Sequence, residues 1–255
     1  MEVELISYHQ DLDTEKRLEL TTNLINQSRA DLIMFCGYTI ADKSDLKKLS
    51  NNIENEVSTV LFEVDYMEES KFLELNHCLY IIQNGVIHNL FTNQFFATSD
   101  EIEGNESLCE RFINELETRR RFKVKRRNCL VFQCGEINII KNLQKEGNIP
   151  VFRLQKRKDL EERFNNLLDN TDIILNPIHT PMGNQGKMEK RREYFSANNR
   201  FYFSASQNGT ITRNDSEYEI SMESSCLQYA FYNGNAIEES DYESTEEYQK
   251  RTYKL

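Results

Sequence analysis

One cysteine of this chain stands in a position where a side chain can do chemistry. Cys134 follows 130–133, three apolar residues and a glutamine, and precedes Gly135 and Glu136. An apolar run of this length that stops near a glycine is typical of a buried strand, so the thiol is expected at the end of that strand. A thiol with an ordinary pKa of about 8.5 is mostly protonated at neutral pH. Cys134 is therefore a candidate nucleophile if a neighbour activates it, and a buried thiol beside a turn if none does.

A histidine later in the chain is one candidate for that neighbour. His179 lies in the segment Asn176–Pro181, which holds two of the three prolines and predicts a rigid, non-repetitive loop. This loop should lie near the pocket of Cys134, and Cys–His pairs are a known way to generate a thiolate. The alternative is a histidine that only caps the proline-rich loop.

The other cysteines do not indicate a metal centre. The six cysteines show no CxxC pair and no regular spacing, so we predict no zinc site and no other cofactor. They stand at positions 36, 78, 109, 129, 134 and 226. Cys36 ends a second apolar run and should fall near Cys134, either as part of a redox pair or as a second isolated thiol.

Strands and helices alternate in the segments that must position these residues. Hydrophobic periodicity predicts strands over 2–7, 31–36, 57–64, 77–83, 86–91, 128–133, 172–176 and 201–206. It predicts helices over 13–28, 44–55, 108–120, 160–169 and 187–198. Asn84-Gly85 between two apolar runs predicts a tight hairpin, and 98–106 is expected to be a polar loop. The order predicts one α/β domain with mixed strand directions.

Composition limits the classes of function. With 31 basic and 42 acidic residues the formal charge is −11, which argues against attraction of the whole surface to nucleic acid or anionic lipid. Arg119–Arg127 is where local nucleic-acid binding would occur, although a solvated face is the plainer interpretation there and at Lys187–Arg192. No apolar run approaches the roughly 20 residues of a membrane span. With no signal-peptide pattern at the start, we expect a cytoplasmic protein.

Four stretches of the chain resemble the nitrilase, or carbon–nitrogen hydrolase, superfamily. They are 30–39, 76–96, 129–136 and 172–207, within a resemblance that spans roughly residues 2–210. The last is the most specific, because an Asn-Pro pair, a Lys-Arg pair and a serine before the next strand keep the family's order. The resemblance implies a four-layer α-β-β-α sandwich over 1–228, followed by an acidic C-terminal extension over 229–255, and at least a homodimer. We expect residues 238–247 to be loose or bound to a partner.

The resemblance also implies a set of catalytic residues, of which this chain keeps a part. In the family a glutamate base, a lysine, a second glutamate and a cysteine act on an amide or nitrile. Cys134 matches the cysteine, with Glu136 behind it as in many members, but Gly37 stands at the base's place and Gln94 at the lysine's. Tyr38 could fill the vacated space. The candidates for the second acid are Glu101, Glu103 and Glu106.

These departures predict a weakened enzyme. The loss of one preorganised donor costs about 3 to 4 kcal/mol in a polar transition state, and a glycine accepts no proton. The first hypothesis is a pseudoenzyme that serves as a binding, scaffolding or regulatory module, with a protein partner or a small carbonyl or amide ligand. The alternative is a cysteine-dependent hydrolase of a linear amide or nitrile with other partners for Cys134. A third hypothesis, a nucleic-acid accessory protein, depends only on Arg119–Arg127.

Overall fold

The computed structural model contains two β-sheets stacked face to face between two layers of helices. It describes residues 1–9, 12–70, 73–89, 93–181, 185–213, 216–220 and 227–255. This arrangement confirms the predicted α-β-β-α sandwich with mixed sheets. Within the described parts, no helix is both long and apolar enough to cross a lipid bilayer.

Seventeen strands carry the architecture of the described chain. In chain order they are β1 (Glu2–Tyr8), β2 (Leu32–Phe35), β3 (Thr59–Ser70), β4 (Leu73–Gln83), β5 (Val86–Asn89), β6 (Arg121–Val124), β7 (Arg127–Val131), β8 (Ile140–Leu143), β9 (Ile149–Phe152), β10 (Ile173–Ile178), β11 (Phe201–Ser206), β12 (Gly209–Arg213), β13 (Ser216–Ile220), β14 (Gln228–Tyr232), β15 (Asn235–Ala236), β16 (Asp241–Ser244) and β17 (Tyr248–Lys254).

The helices lie between these strands. They are α1 (Thr14–Gln27), α2 (Lys43–Asn52), α3 (Ser99–Ile102), α4 (Glu106–Thr118), α5 (Lys158–Asp169) and α6 (Gln185–Ser196), with 3₁₀ helices at Cys134–Ile139 and Gln144–Glu146. Asp13 caps α1 by accepting from the Lys16 amide at 2.8 Å, and Asp42 caps α2 in the same way.

The two main sheets share one plan. The first has the order β16-β17-β1-β2-β3-β4-β5, and the second has the order β15-β14-β11-β10-β7-β6. In each, three central strands are parallel: β1, β2 and β3 in one, and β7, β10 and β11 in the other. Because the carboxyl ends of parallel strands meet at one edge of a sheet, residues that follow β2, β7 and β10 can gather into one site.

Neighbouring residues of the second sheet face different layers. On β7, Cys129 and Val131 pack into the core between the sheets, whereas Leu130 and the following Phe132 pack against the outer helices. The same alternation runs along β10 and β11. This two-sided burial explains why these strands appear in the sequence as continuous apolar runs.

Two Asn-Gly pairs make tight hairpins. Asn84 and Gly85 have φ of 53° and 71° between β4 and β5, which confirms the predicted turn. Asn233 and Gly234, with φ of 48° and 81°, join β14 to β15 in the same way. Both pairs match the turn type that suits the right-handed twist of a hairpin.

Two local predictions were wrong. The segment 98–106 is not only a loop, since the short helix α3 forms within it, started by a capping box between Thr98 and Glu101. The loop expected from Asn176 begins later, because β10 continues to Ile178 and Pro177 keeps its register opposite Ala205 of β11. His179 is the first residue beyond that strand.

The C-terminal segment is part of both sheets. Residues 238–247 were expected to be loose or partner-bound, but β16 and β17 pair with each other, and β17 pairs with β1 along its whole length. The division between 228 and 229 falls inside β14. Burial of Tyr253 and a hydrogen bond from Gln228 Nε2 to the Gln249 carbonyl at 3.0 Å hold the segment in place.

The basic segment 119–127 is divided between surface and core. Arg120 is completely buried, whereas Arg121 and its neighbours form the edge strand β6. Lys125 forms an ion pair with Asp31 at 3.0 Å. A polyanion could therefore reach only part of the charge that the sequence suggests.

Candidate active site

Cys134 begins a 3₁₀ helix three residues after Val131, where β7 ends, and is partly exposed. The close approach of the Ala97 backbone requires a glycine behind it. A Cβ on Gly135 would lie 1.8 Å from the Ala97 carbonyl oxygen, a distance that no side chain can occupy. The chain therefore presents the thiol at the strand's end, as the sequence predicts.

His179 lies against this thiol. It follows β10, the neighbour of β7, and its interaction with the Cys134 side chain helps to raise the pKa of His179. Its Nε2 lies 2.7 Å from Glu63 Oε1, which leaves Nδ1 for the thiol. The structure thus brings together the two residues that sequence analysis offered as a possible pair, and adds a carboxylate behind the histidine.

Glu63 is a completely buried carboxylate on β3 of the opposite sheet. Besides the His179 contact, it accepts hydrogen bonds from the Tyr38 amide at 3.1 Å and from Gln133 Nε2 at 2.9 Å. Burial alone would raise the pKa of Glu63, but the charge and the hydrogen bonds of His179 and His77 hold it well below its usual range. For His179 burial works against the cation, and Glu63 and Cys134 together raise its pKa. Glu63 is an anion at neutral pH.

A second histidine faces the same carboxylate. His77 Nδ1 lies 3.6 Å from Glu63 Oε1 and 3.1 Å from Asp65 Oδ1. Burial lowers the pKa of His77, but both carboxylates outweigh it and raise that pKa to about 9. Its φ of 56° is left-handed, which is uncommon for a non-glycine residue and concentrates at functional sites. Glu63, His77 and His179 are the one group of potential metal ligands in the described residues, with donor atoms all within 4.8 Å of one another.

Gly37 and Tyr38 shape the seat of His179. The Tyr38 ring stacks on the His179 ring with centroids 4.1 Å apart and planes 16° from parallel. A Cβ on Gly37 would lie 2.2 Å from His179 Cδ2. Position 37, where the nitrilase resemblance places a glutamate base, thus lies beside the His179 ring. A glutamate side chain at position 37 and the His179 ring could not both fit there.

Behind Cys134, a buried polar network joins the turn to both carboxylates. Arg120 NH2 donates to Gln133 Oε1 at 2.9 Å and to Glu136 Oε1 at 3.1 Å. Gln133 Nε2 in turn donates to Glu63 Oε2 at 2.9 Å. Glu136 also accepts from the backbone amides of Gln133 and Phe95. Glu136 is therefore a support for the turn, tied to Arg120, and its two oxygens are already engaged.

The remaining candidates make contacts of other kinds. Gln94 donates its amide to the Phe96 carbonyl at 2.8 Å. Of the three possible second acids, Glu101 caps α3, whereas Glu103 pairs with Arg153 and Glu106 with Arg157. Cys36 is completely buried as a free thiol, and burial raises its pKa to about 11.

Sequence analysis missed Glu63 and His77. Glu63 is the one charged residue in 59–64, a run that the structure buries almost completely. A carboxylate inside such a run is rarely left without a partner, so it is a signal that could have been used. The contact of β3 with the end of β10 cannot be read from either strand alone, which is why the pair with His179 was not found.

Comparisons with known proteins show similarity in fold and little similarity in sequence. No protein-family model and no curated protein matches the chain. The amidase from Nesterenkonia sp. AN1, as a cysteine-to-alanine mutant in complex with butyramide, matches with a TM-score of 0.60 and 8% identity, over 100% of this chain and 90% of that one. Another mutant of that amidase carries the acetamide moiety of fluoroacetamide on its active-site cysteine.

Two further known structures are similar in fold to this chain. A carbon–nitrogen hydrolase from Helicobacter pylori G27 matches with a TM-score of 0.59 and 9% identity, over 99% of this chain and 88% of that one. A glutamine-dependent NAD⁺ synthetase from Cytophaga hutchinsonii matches with a TM-score of 0.56 and 11% identity, over 93% of this chain and 40% of the synthetase, so the chain spans less than half of that protein. The chain therefore has the carbon–nitrogen hydrolase fold.

Proposed function

We propose that this protein is a cysteine-dependent carbon–nitrogen hydrolase in which Cys134 is the nucleophile, His179 moves its proton and Glu63 orients His179. The observation that carries the proposal is the position of the His179 imidazole, which interacts with the Cys134 side chain and has its Nε2 2.7 Å from a buried carboxylate oxygen of Glu63. Nucleophile, base and orienting acid in this order activate hydrolases on unrelated folds. The proton-transfer role of the family's base is thus assigned to His179, which follows β10 and is oriented by Glu63 of β3.

The proposed roles give a proton path for amide cleavage. The proton that Cys134 gives up is held on His179 Nδ1, as the raised pKa of His179 favours, and Sγ bonds to the carbonyl carbon. The C–N bond then breaks, and Nδ1 returns that proton to the leaving nitrogen, which departs as ammonia or an amine. Water adds to the thioester carbon, gives one proton to Nδ1, and the S–C bond breaks as that proton returns to Sγ. Glu63 remains ionised throughout and stabilises the imidazolium.

The substrate class is a small linear amide or nitrile. The butyramide complex of the Nesterenkonia amidase supports this class, because that amidase shares the fold of this chain. Cys134 is partly exposed whereas Glu63 is completely buried, so a substrate would meet the thiol and not the carboxylate.

A non-catalytic binding module is the competing function. It is favoured by the glycine at position 37 and by Gln94, whose amide donates to a backbone carbonyl and carries no charge. In that case the pocket would hold a small carbonyl ligand or serve a protein partner. The homodimer that the resemblance implies is proposed for either function, and sedimentation velocity would measure it directly; a monomer at all concentrations would contradict it.

Covalent labelling separates the two functions. Fluoroacetamide and butyramide are incubated with the wild type and with Cys134→Ser, His179→Gln and Glu63→Gln, and labelling is followed by intact mass while ammonia release is measured. We expect labelling at Cys134, slowed by about 100-fold or more in His179→Gln, since general acid–base groups contribute at least that much. His88→Gln is the matched control, because His88 is an exposed histidine on the edge strand β5.

The outcome that contradicts the hydrolase is equally specific. If His179→Gln labels as fast as the wild type, and no amide or nitrile gives ammonia or amine that depends on Cys134, the thiol is not activated. The pocket is then a binding site.

A further inference from the structure

We propose that Glu63, His77 and His179 bind one divalent transition-metal ion of the zinc class at the base of the candidate active site. Each residue offers one ligand atom within 4.8 Å of the other two, and Glu63 Oε1 is nearest to His77 Nδ1 and His179 Nε2. The ion would sit on the side of the His179 ring that faces away from Cys134. Metal binding itself does not depend on the proposed hydrolase activity.

The distances are close to those of a tetrahedral site. Bonds of about 2.0 to 2.1 Å at tetrahedral angles separate the donor atoms by roughly 3.3 to 3.4 Å. Glu63 Oε1 lies 3.6 Å from His77 Nδ1 and 2.7 Å from His179 Nε2. The first pair needs almost no movement, and the second must open by about 0.6 Å as the ion replaces the shared proton.

The donor types select the metal. Two imidazole nitrogens and one carboxylate oxygen suit zinc and its first-row neighbours, whereas Mg²⁺ and Ca²⁺ prefer sites made of oxygen alone. Three protein ligands leave one tetrahedral position for water, as in open zinc sites.

The surroundings of the ligands are already arranged for a cation. Gln133 Nε2 donates to Glu63 Oε2 at 2.9 Å and the Tyr38 amide donates to Oε1, so the carboxylate orientation is fixed by outer contacts. Asp65 adds a second negative charge beside His77. Side-chain exposure rises from 0% at Glu63 through 10% at His179 and 28% at His77 to 46% at Asp65, which describes a path from solvent to the site.

Occupancy would switch off the thiol, a consequence that rests on the proposed function. A metal on Nε2 takes the place of the proton shared with Glu63, and that proton moves to Nδ1 of the neutral ring. That nitrogen can then no longer accept the proton of Cys134. The metal would thus act as an inhibitor of the hydrolase and not as its cofactor.

Calorimetric titration of the chelator-treated full chain with zinc chloride tests the site. We expect one Zn²⁺ per chain in the wild type and in His88→Gln, and at least a tenfold weaker site in His77→Gln. Cys134→Ala should bind as the wild type does, because Sγ lies beyond the other ring nitrogen. Stoichiometric binding that His77→Gln leaves unchanged, or no binding to a wild type with native circular dichroism, overturns the proposal.

Two more measurements keep the result interpretable. Co²⁺ in place of Zn²⁺ should give the visible absorption of a tetrahedral ion in wild type and Cys134→Ala, and none in Glu63→Gln if that variant retains the native circular dichroism. Fluoroacetamide labelling of Cys134 with and without Zn²⁺ then tests the switch. Zn²⁺ binding without any effect on labelling retains the metal site and contradicts its coupling to the thiol, whereas failure of labelling in the metal-free wild type counts against the hydrolase alone.

Discussion

A single methyl group at Gly37 should disable His179. The Cβ of Gly37→Ala would lie 2.2 Å from His179 Cδ2 and 3.1 Å from its Cα, whereas an ordinary contact needs about 3.4 Å. The backbone cannot easily separate, because the Gly37 amide donates to the Ile178 carbonyl at 3.0 Å. The ring must therefore move by about 1.2 Å. Gly37 has no left-handed φ, so the substitution acts through this collision and not through backbone strain.

The displacement is large enough to measure as a rate. A misplacement of about 1 Å at a catalytic group costs on the order of 100-fold, equivalent to about 2.7 kcal/mol in the barrier. Fluoroacetamide labelling of Cys134 by Gly37→Ala should slow by that factor. Gly147→Ala is the matched control, since no atom lies within 4 Å of its Cβ position and its φ of 74° gives only backbone strain of about 1 kcal/mol. That control should lose a little stability and no labelling rate.

A double variant decides whether the collision is the cause. In Gly37→Ala/His179→Ala the 2.2 Å clash with the ring is gone, so the free energy of unfolding should recover towards that of His179→Ala while labelling stays slow. If Gly37→Ala labels at the wild-type rate, and His179→Gln still slows it, the ring does not occupy the place described. The reasoning about Gly37 would then be refuted.

Three other predictions follow from the buried groups and the C-terminal strands. Arg120→Met should lower the free energy of unfolding, measured in urea, by about 3 to 5 kcal/mol, because it leaves the buried Glu136 carboxylate without its cation. A decrease below 1 kcal/mol would show that the pair is not buried. Deletion of 237–255 removes β16 and β17, so gel filtration and circular dichroism should show an aggregated or unfolded chain, and a folded, monodisperse product would restore the idea of a separate extension. Cys36 should resist iodoacetamide in the native protein near neutral pH, since its thiolate forms only as pH approaches about 11; labelling as fast as at Cys134 would contradict its burial.

Local patterns in the sequence were sufficient for most elements of the fold. The apolar runs that end at Cys36 and Val131 are strands of the two sheets, and Asn84-Gly85 forms the turn that its dihedral preferences require. The same dipeptide at 233–234 makes the β14–β15 hairpin, a signal that was present and not used. The acidic C-terminal segment was misjudged because its acidic residues lie at the surface while Tyr248 and Tyr253 are buried.

The site was harder to predict because its residues meet across the two sheets. Glu63 and His179 are 116 positions apart, and no periodicity relates them. Alignment with the nitrilase pattern showed that position 37 lacks its glutamate, which suggested loss of the base. The structure shows what the missing side chain allows, because the space beside Gly37 is filled by the His179 ring.

Cys134 and His179 leave one sheet, while Glu63 and His77 belong to the other. These four side chains therefore come together only when both sheets have formed and docked. A nascent or partly unfolded chain would carry the Cys134 thiol without its contact to His179. The activation that we propose for Cys134 would therefore begin only at the last stage of assembly, when the two sheets dock.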